Sequence, residues 1–387
     1  MQINVGVLFG GKSVEHEVSI ISALQMIENM NKLKYQPIPI YLSKDNVFYH
    51  HKDMTDIEFF KNMDNLKKAK KVLISPNQNK HELLIITKNK LKKLADLDVI
   101  FLIVHGAQCE DGTLSGYCEL LNIPYVGSTI LPSALNQNKW KLKVLLSNYN
   151  IPIVPYFAFY EHEFYQDEQR IISECEKLGM PLIVKPAHLG SSVGIKKCTN
   201  REELVEAILT SLQYDTEVIV ETVVQNLIEL NCAVLGRPGE YTTSEIERVF
   251  QFDDILSYTD KYLRSKSSKG MESTCRELPA KINPELKNQI TDISLRVSEI
   301  LGTSGVVRID YLYDEVNDEL YLNEINTIPG SLAFYLWKDK GLSYSDLIDK
   351  LIKIAFDNYR IKNAKIYSYD TNILALSPNL NSGKLVK

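Results

Sequence analysis

An α/β amino-terminal part followed by an α+β carboxy-terminal part is the architecture that the sequence predicts, and three observations carry it. The chain opens on a short apolar stretch, Ile3 to Phe9, that meets Gly10-Gly11 and then an amphipathic segment from about Ser13 to Met30. Strand, glycine turn and helix is how α/β domains begin. The pattern recurs at Asp98 to Val104, an apolar run that ends at His105-Gly106 before a helical stretch around Leu114 to Leu121. In the last third, Arg308-Ile-Asp310-Tyr-Leu and Leu320-Tyr-Leu-Asn-Glu324-Ile-Asn326 are two strand-like arms joined by a polar turn, Asp314 to Asp318, which reads as an antiparallel hairpin.

Size and composition agree. The 387 residues suffice for several domains with full cores, and 44% hydrophobic with 24% charged residues is an ordinary globular mix. A net charge of −5 disfavours non-specific nucleic-acid binding, which needs basic surface. The apolar run Val99 to Val104 is far too short to span a bilayer, and the start lacks the basic n-region of a signal peptide. Cys109, Cys118, Cys175, Cys198, Cys232 and Cys275 include no C-x-x-C pair, so neither a zinc site nor a disulfide framework is indicated. The expectation is a cytoplasmic protein of several domains, with no nucleic-acid or membrane partner.

The remaining elements follow in order. Ser13 suits an N-cap, with Glu15 and Glu17 in the first turn, where the helix dipole favours acids. Residues 61–93 carry ten lysines against Asp64 and Glu82 and read as a solvated insertion. Ile123 to Gly127 reads as strand and turn, and Ser133 to Asn148 as a helix closed by Pro152 and Pro155. Leu182 to Pro186 reads as a strand running into the glycine- and serine-rich turn Gly190 to Gly194. A capped helix is expected from Asn200 to Leu212 and a strand from Val218 to Val224. Long helices are expected over about Pro284 to Gly302 and Tyr344 to Tyr359, with a polar, loosely packed tail after Ile361.

Several constellations could carry chemistry. Alternation along the hairpin puts Arg308 and Asp310 on one face, and likewise Glu324 and Asn326. Two carboxylates and an amide on apolar strands are costly without a cation, and oxygen-only ligands point to Mg²⁺; a merely wet face is the bland reading. The turn Thr327 to Gly330 follows at once. Lys185, Ser191, Ser192 and Gly194 could hold a phosphate, although neither common glycine-rich nucleotide motif is present. Lys139 could be another phosphate lysine, although alone it reads as a surface lysine, and Glu221 with Glu229 could serve either adenosine hydroxyls or solvent. Lys261-Tyr262 precedes a Ser/Gly/Lys stretch that reads as a mobile loop, and surface Lys-Tyr pairs are common in a chain with 21 tyrosines.

Taken together, the ordered segments G-G-K-S-V-E-H-E-V-S, H-G-x-x-x-E-D-G, I-P-Y-V-G-S, V-K-P-A-H-L-G-S-S-V-G, D-K-Y, S-T-C-R-E-L-P-A, R-I-D and N-E-I-N-T-I-P-G resemble the D-alanine–D-alanine ligases of the ATP-grasp superfamily, from about residue 3 to about residue 358. The resemblance implies an ATP-grasp fold preceded by a Rossmann-like domain: residues 1–138, a central part 139–221, a C-terminal part 222–360 with the metal and substrate site, and the tail 361–387. It further implies that Lys139, Lys185, Ser192, Glu221 and Glu229 bind ATP. Asp310, Glu324 and Asn326 would hold two Mg²⁺ ions, with Mn²⁺ as a substitute. Glu15, Ser191 and Tyr262 would position the amino acids, and Lys261 would reach the transferred phosphate. His105, Arg308 and the Gly330 backbone would bind the first substrate's carboxylate and the oxyanion, and Ser331-Leu332 would border the second D-alanine. A homodimer is implied as well.

Four departures from the family pattern stand out: Asn138 in place of Asp, Cys109 in place of Gly, His188 in place of Asn or Arg, and a loop after Gly330 about four residues shorter than usual. The short loop motivates one alternative, a ligase of the same fold joining other amino acids such as D-alanine with D-serine. A non-catalytic nucleotide-binding paralogue is the other.

Overall fold

The computed structural model describes residues 2–76, 80–107, 109–250 and 276–371. Its strands form three sheets. The first has eight strands, in the order Leu91–Leu97, His81–Ile86, Lys70–Ile74, Phe48–His50, Tyr35–Leu42, Ile3–Gly10, Val99–Ile103 and Tyr125–Val126. Ile3–Gly10 runs parallel to both of its neighbours. Val99–Ile103 is buried along its whole length, which explains its unbroken apolar sequence: a parallel strand covered on both faces has no polar side.

The lysine-rich segment is no shapeless insertion. Three of its stretches pair antiparallel and extend the first sheet. Alternate residues of Lys70–Ile74 and His81–Ile86, among them Val72, Ile74 and Leu83, face inward. The lysines were informative about the wet face only.

Antiparallel pairing begins earlier than the last third. The second sheet, Lys196–Cys198, Leu182–Pro186, Glu217–Thr222 and Tyr156–Tyr160, is wholly antiparallel. The third has the order Arg276–Glu277, Thr242–Val249, Leu227–Gly236, Gly305–Asp314 and Glu319–Asn326. Its last two strands are the expected hairpin, with Arg308 opposite Asn326 and Asp310 opposite Glu324.

Helix boundaries differ from expectation where a side chain has another task. The first helix is His16–Asn29, and Ser13 does not cap it: its hydroxyl donates to the His105 carbonyl at 2.7 Å and accepts from the Glu15 N–H. The stretch expected as one helix from Ser133 divides into Ile130–Gln137 and Lys139–Asn148. Asn138 leaves helical torsions between them and caps the second helix by accepting from the Lys141 N–H at 2.9 Å. Asn200 and Asn283 cap Arg201–Ser211 and Pro284–Leu301 in the same way.

Each sheet has its own buried cluster, and the final helix, Tyr344–Asn363, belongs to the first. Leu347, Ile348, Leu351 and Ile352 join the cluster of Val5, Phe9 and Ile100, so the chain returns to its beginning. The helix also runs two residues past Ile361, where a loose tail was expected. Leu347 is fully buried in this junction. Leu347→Ala should therefore destabilise the protein by about 2–5 kcal/mol in urea unfolding, through lost burial and the cavity left behind.

Candidate active site

The three sheets meet at a polar cavity lined by Glu15, Glu110, Lys139, Ser191, Glu324 and Asn326, among others. Glu15 comes from the start of the first helix, Ser191 from the turn after Leu182–Pro186, and Glu324 and Asn326 from the hairpin. The Ser191 hydroxyl donates to the Glu15 carboxylate across 176 residues of sequence. Ser191 and Ser192 both adopt positive φ, which turns this loop over the cavity. Gly106 is needed on the opposite side: it has φ +74° and a Cβ there would lie 3.0 Å from Glu15 Oε2.

His105 is buried, its Nε2 2.9 Å from the Ser22 hydroxyl, and it also hydrogen-bonds the Ile328 backbone. Burial lowers its pKa, and the nearby Glu15 charge only partly opposes this. Glu110 was not singled out from the sequence, although it lies within H-G-x-x-x-E-D-G. Its carboxylate accepts from the Gly106 N–H at 2.6 Å and the Ile328 N–H at 3.2 Å, tying the loop after Val99–Ile103 to the turn after the hairpin. Burial and then Glu15 push its pKa up to about 8.

Lys139 is no surface lysine. Its Nζ donates to the Leu189 carbonyl at 2.5 Å and lies 4.0 Å from Glu324, and burial lowers its pKa. Glu221 is 2% exposed and faces two cations, Lys185 at 2.7 Å and Lys143 at 3.2 Å. Burial alone would raise the Glu221 pKa, but Lys143 and Lys185 outweigh it and bring it down to about 2. Lys143, fully buried, was missed in the sequence, where it is one of three lysines in five residues with no mark of its burial. Glu229 is half-buried on Leu227–Gly236, opposite Leu312.

On the hairpin, Arg308 grips Asp310 with two nitrogens, at 2.6 and 2.7 Å, and Asn326 donates to the same carboxylate at 3.0 Å. Burial opposes the Arg308 charge, but Asp310 holds the guanidinium protonated. Beyond Gly330, Ser331 and Leu332 are buried. Two of the departures meet: the Asn138 amide donates to His188 Nε2 at 2.8 Å and to Glu217 at 3.0 Å, while His188 Nδ1 lies 2.9 Å from Asp215. Cys109 is buried. Lys261 and Tyr262 lie outside the described residues.

The buried lysines make a test of the cluster. Glu221→Gln leaves two cations uncompensated and should cost about 3–5 kcal/mol at pH 7. Because the folded carboxyl titrates below its ordinary value, its stabilisation is complete above about pH 4.5 and fades as the pH falls toward 2. Urea unfolding at pH 7 and pH 3 should show the wild type losing part of this advantage over the variant.

Comparison with known proteins supports the same direction. Residues 4–128 match the family model "D-ala D-ala ligase N-terminus", and residues 145–353 match "D-ala D-ala ligase C-terminus". A D-alanine--D-alanine ligase of Thermosipho melanesiensis is 40% identical over 377 residues, covering 97% of this chain and 99% of that protein. One from Caldicellulosiruptor bescii is 36% identical over 374 residues, covering 95% and 99%. Among solved structures, the VanG D-Ala:D-Ser ligase from Enterococcus faecalis has a TM-score of 0.77 at 32% identity, covering 92% of this chain and all of that one. The D-alanine-D-alanine ligase from Coxiella burnetii has a TM-score of 0.76 at 26% identity, covering 94% and 96%. With both halves matched and relatives spanning nearly its whole length, the chain belongs to the D-alanine–D-alanine ligase family, with the ATP-grasp fold behind its amino-terminal domain.

Proposed function

We propose that this protein is an ATP-dependent ligase that joins two D-alanine molecules into D-alanyl-D-alanine for peptidoglycan synthesis. The observation that carries the reading is the convergence, in a chain of this family, of the buried Lys139, the Glu15–Ser191 pair and the hairpin residues Glu324 and Asn326 on one cavity. A carboxylate is a poor electrophile, so the first D-alanine must accept the γ-phosphoryl group of ATP to become an acyl phosphate. The amine of the second then attacks and phosphate departs. Such phosphoryl transfer is catalysed mostly by positioning and by neutralising charge.

In this reading Lys139 and Lys185 meet the phosphates, with Ser192, Glu221 and Glu229 completing the nucleotide site. Glu221 acts through the two lysines it holds. Asp310, Glu324 and Asn326 offer oxygen donors on facing strand positions, a set that suits Mg²⁺ completed by substrate phosphates, and Mn²⁺ as a substitute. The metal would neutralise charge on the phosphates. Glu15 and Ser191 orient the first amino acid. His105, Arg308 and the Gly330 backbone take its carboxylate and then the oxyanion, a contribution of about 3–4 kcal/mol per donor. Lys261, Tyr262, Ser331 and Leu332 complete the acceptor side. We assign 1–138, 139–221 and 222–360 as the three domains and expect a cytoplasmic homodimer; no helix among the described residues is long and apolar enough to cross a membrane.

Phosphate release from ATP across a panel of amino acids tests the reading directly: D-alanine alone should support it, and release only with other acceptors would overturn it. Glu324→Gln should abolish turnover at ordinary Mg²⁺ while leaving thermal unfolding nearly unchanged, since an amide cannot replace the charge. Competition between D-alanine and D-lactate over pH 6–9 should yield dipeptide and not ester at neutral pH, because tyrosine at position 262 stays neutral there and does not repel an incoming ammonium.

A further inference from the structure

We infer that the first helix, through Ser22 and Gln25, sets the position of the Ser331-Leu332 segment and thereby the choice of acceptor amino acid. The inference rests on the ligase reading and extends it to two residues of the first helix.

The segment is unusual in its backbone. Ser331, Leu332 and Ala333 have φ of 49°, 57° and 48°, three successive residues in the left-handed region without a glycine among them. Each side chain clashes with its own backbone in that conformation, so such a run persists only where its surroundings hold it.

The first helix supplies the hold. The Ser331 N–H donates to the Ser22 hydroxyl at 3.1 Å, and the Ser331 hydroxyl donates to Gln25 Oε1 at 2.5 Å. Ser22 and Gln25 stand three apart and so share a helix face. The Ser22 oxygen also lies 2.9 Å from His105 Nε2. His105 donates its other ring N–H to the Ile328 backbone, which in the neutral ring leaves Nε2 to accept from the Ser22 hydroxyl. One hydroxyl thus joins the helix, the His105 loop and the turn after the hairpin. Leu332, Ala333, Leu336 and Trp337 anchor the same segment in the first core. The short passage from Gly330 into this run leaves no slack, so a shift at Ser331 is passed on to the acceptor side of the cavity.

Ser22 and Gln25 are positioning residues, and the test separates that role from general support. Gln25→Met keeps the length of the side chain and removes the acceptor; Gln25→Glu keeps the acceptor. For Gln25→Met the KM for the second D-alanine should rise about tenfold, as expected for one lost part-buried hydrogen bond, and D-serine should compete better. The KM for ATP and the thermal midpoint should stay close to wild type, and Gln25→Glu should restore acceptor KM. An unchanged acceptor KM and product ratio in Gln25→Met would overturn the inference, as would a parallel loss of ATP affinity and stability. If Gln25→Met does not fold, Ser22→Ala carries the same comparison with the same two outcomes. Wild-type protein that makes no dipeptide from D-alanine would instead overturn the ligase reading, so the two failures are distinguishable.

Discussion

Glu221 between Lys143 and Lys185 is the interaction on which the site depends. Bringing cations into a protein interior is costly unless a counter-charge comes with them, and this carboxylate sits within 3.2 Å of both. It lies on the strand Glu217–Thr222, Lys185 on its antiparallel neighbour, and Lys143 on the helix that Asn138 begins. The pairing therefore locks a helix to a sheet and keeps two lysines charged in the interior. Lys139, one turn before Lys143, is oriented differently, toward Leu189 and Glu324. In the proposed nucleotide site these cations are desolvated and held before a polyphosphate arrives, which would leave little reorganisation for binding.

The same economy governs the rest of the cavity, where nearly every polar group is held by a distant segment. Ser191 is held to Glu15, Glu110 spans Gly106 and Ile328, and Asp310 is shared by Arg308 and Asn326. Ser191 with Glu15, Glu110 with Ile328 and Asn326 with Asp310 each cross between different elements. Catalysis by positioning needs this, since a misplacement of an ångström is costly and a loop alone cannot prevent it. Two of the departures from the family pattern, Asn138 and His188, are hydrogen-bond partners.

Much of the fold was legible in the residues themselves. Glycine turns after apolar strands, the asparagine cap before Arg201, and the period-two alternation of the 308–326 hairpin all depend on torsions and neighbours a few residues away. That alternation also placed Arg308, Asp310, Glu324 and Asn326 correctly with respect to one another. What only the tertiary structure decided lies at long separation: Lys185 with Glu221 across 36 residues, Asn138 with His188 across 50, Glu110 with Ile328 across 218, Ser22 with Ser331 across 309. It also buried Lys139 and Lys143, paired the lysine-rich segment into the first sheet, and returned the last helix to the first core. A lysine's sequence neighbours say whether its backbone is helical; whether its charge meets water or a buried carboxylate depends on which sheet packs against that helix, and no local pattern carries that information.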